Sequence, residues 1–309
     1  MAVLLNTEHP DMTPDMIPAK PAIALLLLAS IAATAHAGVR RHDRDDALYQ
    51  QLANESQFDS VISLQIFDPS GDRFCSATVI SPEWVLTAAH CFDGADTPLT
   101  LAQTDGNFAL AAEVIINPNW TPGQVTLGND LALIRLSTPL SNVPAATIYS
   151  GSNELNALGY GVGYGLGGNG ISGEIIGTAG IKRAGTNFID AFGSDRGWNE
   201  SILITDFDSP TNASESTYGS AIPTDLEYQI ARGDSGGALY IQENGQWFLA
   251  GVTSFINSID GNPNGDYGDM SAYTRLSDYN DWINSVIPAP SGLLILSAGM
   301  ITATRRRRA

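Results

Sequence analysis

Three side chains of this sequence could between them carry out acyl transfer. Ser235 stands in Gly233-Asp234-Ser235-Gly236-Gly237, where the flanking glycines let the backbone expose a hydroxyl and turn amide N–H groups toward one point. A serine hydroxyl is a weak nucleophile and needs an adjacent base. His90, in Leu86-Thr87-Ala88-Ala89-His90-Cys91, is the leading candidate. Only His42 and His90 lie beyond the amino-terminal leader described below, and His42 sits in a charged run. Asp130, in Asn129-Asp130-Leu131-Ala132-Leu133, falls where an apolar strand begins. A carboxylate there can fix the imidazole tautomer and stabilise its cation. Each stretch also has a plainer reading: a structural histidine, a solvated strand-end aspartate, a glycine-rich turn.

The chain order His, Asp, Ser is one of three unrelated orders in which this triad occurs. Together the three stretches resemble the trypsin/chymotrypsin family of serine proteases, and the resemblance covers residues 61–287. It implies an all-β fold of two antiparallel six-stranded β-barrels with a C-terminal helix. The first barrel would carry His90 and Asp130, the second Ser235. It also implies peptide-bond hydrolysis through an acyl-enzyme on Ser235, without a cofactor. The Gly233 and Ser235 N–H groups would form the oxyanion hole, Gly233 because a side chain there would hinder the backbone path. Asp234 would have a structural task, pairing in that family with a new N-terminal ammonium or an equivalent cation. No Ile-Val-Gly-Gly precedes the first barrel, so Gly38-Val39-Arg40 and an internal arginine both stay open as the source.

The same resemblance frames specificity. Gln229 lies six residues before Ser235, where trypsin-like members place the aspartate that binds Lys or Arg. Ser254 and Phe255 match the strand that binds substrate backbone, and Ile256 stands where many relatives have glycine. With Ser271, these residues lead us to expect a neutral, shallow pocket for small or medium side chains. Two rivals stand beside the protease: a non-catalytic surface binding module on a protease scaffold, and an esterase-type hydrolase. Gly233-x-Ser235-x-Gly237 fits the bare nucleophile-elbow pattern, but Asp234 and the serine-last order favour the protease.

The elements that must position these residues read as β. Short β-branched runs at 61–67, 74–80, 84–87, 109–116 and 131–136 are punctuated by Pro, Gly and Asn, as in a sandwich or barrels. Further strands are expected at 202–205, 238–241, 247–253 and 271–274. Ser277 can cap a closing helix with Tyr279, Trp282, Ile283 and Val286 on one face. Gly165, Gly167 and Gly170 fit G-x-G-x-x-G, yet no helix pattern or βαβ unit surrounds them, which argues against a nucleotide site. Gly159-Tyr160-Gly161 instead resembles the Gly-Trp-Gly strand of the family's second barrel.

The ends carry addresses. Residues 22–33 are an apolar run after Lys20, followed by Ala35-His36-Ala37. That is the pattern of a secretory signal with a small-x-small cleavage site, so residues 1–37 form a leader and Gly38 begins the mature chain. Residues 38–58, rich in charge, read as a propeptide or surface arm, and 59–287 as the protease domain. Residues 288–309 hold Pro288-Ala289-Pro290, an apolar stretch and Arg305 to Arg308. Fourteen apolar residues rise about 21 Å as a helix, short of a roughly 30 Å hydrocarbon core. The tail resembles the PEP-CTERM class of bacterial sorting segments, with a membrane-bound sorting enzyme as partner. A simple tail anchor held by its arginines is the alternative. The expected location is therefore outside the cell or in the bacterial envelope.

Composition agrees with export and excludes some partners. The formal charge is −18 over 309 residues. Without both ends, 10 Lys+Arg face 30 Asp+Glu, near −20, which argues against nucleic-acid or anionic-lipid partners. Protein or peptide substrates and a monomer are expected. The two cysteines, Cys75 and Cys91, read as one disulfide in an oxidising compartment; the resemblance places it between the histidine loop and a neighbouring strand. So few Cys and His argue against a metal centre. The one exception considered is the run 260–269, where Asp260, Asn262, Asn264, Asp266 and Asp269 offer oxygen ligands for calcium. An ordinary polar turn is its alternative.

Overall fold

The computed structural model describes residues 38–287 except 96–98, 105 and 141; the leader (1–37) and the tail (288–309) lie outside the described residues. The chain enters through strand β1 (Gly38–Arg40) and helix α1 (Asp46–Ala53). Six strands follow: β2 (Val61–Phe67), β3 (Arg73–Ser81), β4 (Trp84–Thr87), β5 (Leu99–Thr104), β6 (Asn107–Ile116) and β7 (Ala132–Leu136). They close into an antiparallel barrel in the order β2-β3-β4-β7-β6-β5. Leu64, Ile66, Ala77, Val79, Val85 and Ile134 share its inner face and are buried. Closure leaves no open edge in this lobe.

The second lobe contains β8 (Leu158–Gly163), β9 (Gly167–Asn169), β10 (Gly173–Glu174), β11 (Arg183–Phe188), β12 (Ala191–Phe192) and β13 (Ile202–Asp206). It continues through β14 (Tyr228–Gln229), β15 (Ala238–Glu243), β16 (Gln246–Asn257) and β17 (Met270–Arg275). Seven of these strands pair in the order β11-β8-β15-β16-β17-β13-β12. The expected all-β architecture of two antiparallel lobes is present, the first a closed six-strand barrel and the second a half-barrel. The outer edge of β11 meets the segment before β14, with Thr186 N donating to Leu226 O at 2.7 Å. The seam toward β13 is bridged by a side chain, Asn187 Nδ2, which donates to Asp206 O and Tyr228 O.

Residues 38–58, expected as a surface arm or propeptide, are packed into this lobe. β1 runs between β9 and β14 in a small sheet ordered β10-β9-β1-β14, and Val39 is fully buried. Helix α1 packs on β11. Its charged run, which reads as solvated in sequence, is consumed by pairing: Asp46 binds Arg183 of β11, and Arg44 binds Asp225 at 2.8 Å. Tyr49, also fully buried, donates to Glu227 O at 3.0 Å.

The closing helix α2 (Asn280–Val286) is present after a 3₁₀ turn, Leu276–Tyr279. Ser277 does not cap it; its hydroxyl donates to Glu154 Oε1 at 2.7 Å. No helix among the described residues is long and apolar enough to cross a membrane.

The Cys75–Cys91 disulfide forms, with Cα atoms 6.6 Å apart. It ties β3 to the 3₁₀ turn Ala89–Phe92 that carries His90. Closing a loop of this length is worth about 3 kcal/mol on the chain-entropy account. The Cys75→Ser/Cys91→Ser double variant is accordingly expected to lose about that much unfolding free energy in urea. A loss below about 1 kcal/mol would show that the bridge constrains little.

Candidate active site

Each of the three chemically suggestive residues sits where a strand of one lobe ends against the other. His90 follows β4 and is 24% exposed. Asp130 precedes β7 and is fully buried. Asn129 beside it takes φ 63°, a conformation asparagine tolerates, and its N–H donates to Tyr279 Oη at 2.9 Å. Ser235 lies between β14 and β15. Ser76 N of the first barrel donates to Ser235 O at 2.8 Å, and Gly236 N donates to Thr253 O at 2.8 Å, so both lobes grip this turn.

These placements bring the three side chains together. His90 Nδ1 lies 2.7 Å from Asp130 Oδ2, and His90 Nε2 lies 2.8 Å from Ser235 Oγ. Asp130 Oδ1 accepts from His90 N at 2.9 Å, and Ser254 Oγ donates to Oδ2. Burial works to lower the His90 pKa, but the charge and hydrogen bond of Asp130, with Asp93 adding, carry it above its ordinary value. Burial likewise works to raise Asp130. The His90 charge and hydrogen bond, then Ser254 and the His90 N–H, hold it below the ordinary carboxylate value. The pair is thus built to keep an anion next to an imidazole that gains a proton.

The turn around Ser235 is shaped for amide donors. Asp234 N, Gly236 N and Gly237 N all find carbonyl acceptors. Gly233 N and Ser235 N have no acceptor among the described residues. Gly233 takes φ 96°, and a Cβ there would lie 2.9 Å from Gly165 Cα. At Gly236, with φ 81°, a Cβ would lie 2.3 Å from Ser76 O. Both positions therefore demand glycine.

Asp234 points away from the nucleophile into the half-barrel and is fully buried. Its carboxylate accepts from Gly165 N at 2.7 Å, Ala231 N at 2.9 Å and Tyr228 Oη at 3.1 Å. Burial pushes its pKa up to about 6, with those three donors pulling against it. Gly38 packs on the Tyr228 ring: a Cβ there would fall 2.4 Å from Tyr228 Oη.

A family model described as Trypsin matches residues 50–283. The chain belongs to the trypsin family. Among curated proteins it is similar to chymotrypsin-like elastase family member 1 of Felis catus, 29% identical over 262 residues, covering 76% of this chain and 87% of that protein. The counterpart in Homo sapiens is 28% identical over 252 residues, covering 76% and 90%. At the level of the trypsin family this is a serine-type endopeptidase scaffold.

The cleft next to Ser235 holds a cavity of about 280 Å³ lined by Ile230, Ala231, Arg232, Thr253, Phe255 and Ile256 among others. Gln229 and Ser271 are not on its wall. Both are fully buried behind it, with Ser271 Oγ donating to Gln229 Oε1 at 2.6 Å. Ile256, which is on the wall, pairs with Ser271 in register across β16 and β17, so the two side chains lie side by side on one face of the sheet. Ser254 also lines this cavity, as the sequence led us to expect, while its hydroxyl is turned onto Asp130. The cause is a bulge in β16 between Thr253 and Phe255, which takes Ser254 out of the pleat.

Several supporting residues carry no sequence signal. Tyr228 holds Asp234, Ser76 Oγ donates to Gly233 O at 3.0 Å, and Thr274 Oγ1 donates to Asp130 O at 3.3 Å. The oxygen-rich run near residue 260 closes on itself. Asn262 N donates to Asp260 Oδ1 at 2.7 Å, Asp266 N to Asn264 Oδ1 at 3.0 Å, and Gly265 N to Asp269 Oδ2 at 2.8 Å. Among the described residues, no group of three or more His, Cys, Asp or Glu side chains is arranged to hold a metal ion.

Proposed function

We propose that this chain is a secreted serine endopeptidase that cleaves protein or peptide substrates through Ser235, His90 and Asp130. The observation that carries the reading is the continuous hydrogen-bonded chain Asp130–His90–Ser235, at 2.7 and 2.8 Å, assembled from two lobes. Ser235 Oγ adds to the scissile carbonyl carbon while its proton passes to His90 Nε2. The carbonyl oxygen becomes an oxyanion facing Gly233 N and Ser235 N. Collapse returns the proton to the leaving amine and leaves an ester on Ser235. Water, deprotonated by His90, then releases the acid. Asp130 stays ionised throughout and steadies the imidazolium.

The residues around the cleft support a neutral, shallow specificity pocket for small or medium side chains, with Ile256 on its wall and Gln229 and Ser271 buried off it. Release of the leader after Ala37 would free an ammonium at Gly38, next to Tyr228, whose hydroxyl donates to Asp234. That ammonium would order the turn bearing Ser235. The tail at 288–309 supports delivery to a sorting enzyme of a bacterial envelope.

A fluorophosphonate probe tests the reading directly. Ser235 should be modified in the mature protein, and the modification should vanish in His90→Ala. An unlabelled Ser235 would instead make the chain a binding module on a protease scaffold. A peptide-library profile dominated by Lys or Arg at the cleaved position would refute the neutral pocket.

A further inference from the structure

The open seam of the half-barrel contains a second cavity, of about 250 Å³, that shares no lining residue with the cleft at Ser235. Three carboxylates line it from three separate segments: Asp190 between β11 and β12, Asp208 just after β13, and Glu227 just before β14. A fourth, Asp206, is buried nearby, its Oδ2 accepting from Thr217 N and Tyr218 N, and its charge acts on Asp190. Among the described residues no Lys or Arg pairs with any of the four. Glu227 is engaged by Thr224, whose N and Oγ1 each donate to Oε2 at 2.6 Å. Asp208 is only 5% exposed, and its Oδ1 is buried without any partner. Buried carboxylate oxygens are almost always paired, so this one marks a missing donor. The mouth is different in character: Phe188 is 42% exposed and Ile222 78% exposed.

We propose that this cavity binds an alkyl cation, the guanidinium or ammonium head of a basic side chain on an incoming polypeptide. An apolar mouth over an acidic floor matches such a side chain, whose methylenes pack while its head seeks charge. A guanidinium fork can serve several separated carboxylate oxygens at once. A metal ion fits less well, because no three of these side chains converge as ligands. The charge of −18 on the chain draws cationic polypeptides toward it. Burial pushes Asp190 and Glu227 up to about 8 and Asp208 up to about 7. A bound cation supplies the counter-charge that lets them ionise. The site does not depend on whether Ser235 reacts.

The test uses the mature chain carrying Ser235→Ala, so that no peptide is cut, with calorimetric titration at pH 7.5. The probes are a blocked pentapeptide with one central arginine, its citrulline isostere, n-butylguanidinium and calcium chloride. The arginine peptide should bind at least tenfold more tightly than the citrulline peptide. Asp208→Asn and Asp190→Asn should each weaken it at least tenfold. Ile222→Lys, at an exposed position that tolerates the change, should do the same if an Asn variant fails to fold. Equal binding of arginine and citrulline, or undiminished binding in the folded variants, would overturn the site. Calcium binding without peptide binding would overturn the alkyl-cation chemistry. Butylguanidinium binding as tightly as the peptide would overturn the polypeptide as occupant.

Discussion

Replacing Asp130 by Asn is expected to lower kcat about 10⁴-fold with KM changed little, the size known for this change within the trypsin family. The geometry explains why an isosteric amide cannot stand in. Asp130 receives three donors: His90 N on Oδ1, and His90 Nδ1 and Ser254 Oγ on Oδ2. An asparagine offers one acceptor oxygen and one NH₂ group. If its oxygen faces the ring and Ser254, its NH₂ points at the His90 N–H. If its NH₂ faces the ring, Nδ1 must accept, the proton moves to Nε2, and Ser235 loses its base. Either arrangement also removes the negative charge that raises the His90 pKa against burial. A free imidazole must be neutral to act, so kcat/KM of the native protein should fall as pH drops through a value above the ordinary histidine pKa. In Asp130→Asn that acid limb should move to lower pH. A loss of less than tenfold, or an acid limb that stays in place, would remove Asp130 from the proposed mechanism.

The proposed catalytic residues were legible because their neighbours are chemically distinctive. Ser235 is fenced by glycines that the tight approach to Ser76 and Gly165 requires, and Asp130 opens an apolar strand. Most of the first barrel was legible for a similar reason, since its strands are short β-branched and apolar runs that end at turn residues. What the sequence hid depends on long-range pairing. Ser254 turns onto Asp130 only because a bulge interrupts β16, and no local pattern announces a bulge. The charged run at 40–46 looked solvated because its partners, Arg183 and Asp225, lie far along the chain. Gly159-Tyr160-Gly161 drew attention by resemblance, yet Gly163 and Gly165 are the glycines against Asp234. Even the helix start misled: Ser277 has good capping chemistry, but Glu154 captures its hydroxyl first.

Asp234→Asn is the second change expected to have a large effect, a loss of about 10²–10³ in kcat, the range for losing one oxyanion donor. Every group facing this carboxylate donates: Gly165 N, Ala231 N and Tyr228 Oη. An amide would turn its own N–H groups toward at least one of them. There is no room to tilt away, because a Cβ at Gly163 would already lie 2.2 Å from Asp234 Oδ1. The turn must therefore shift, and Gly233 N and Ser235 N shift with it. Protonation should mimic the substitution. With its pKa pushed up to about 6 by burial, Asp234 should add an acid limb near that pH to the kcat profile, absent from Asp234→Asn. The sign for stability is the reverse: a carboxyl raised in the folded state favours folding at low pH and loses that contribution as pH rises toward about 6. An ammonium at Gly38 would lower this pKa, so release of the leader should move the limb to more acid pH. A kcat within tenfold of the native protein, with the limb unchanged, would mean that Asp234 does not position the turn.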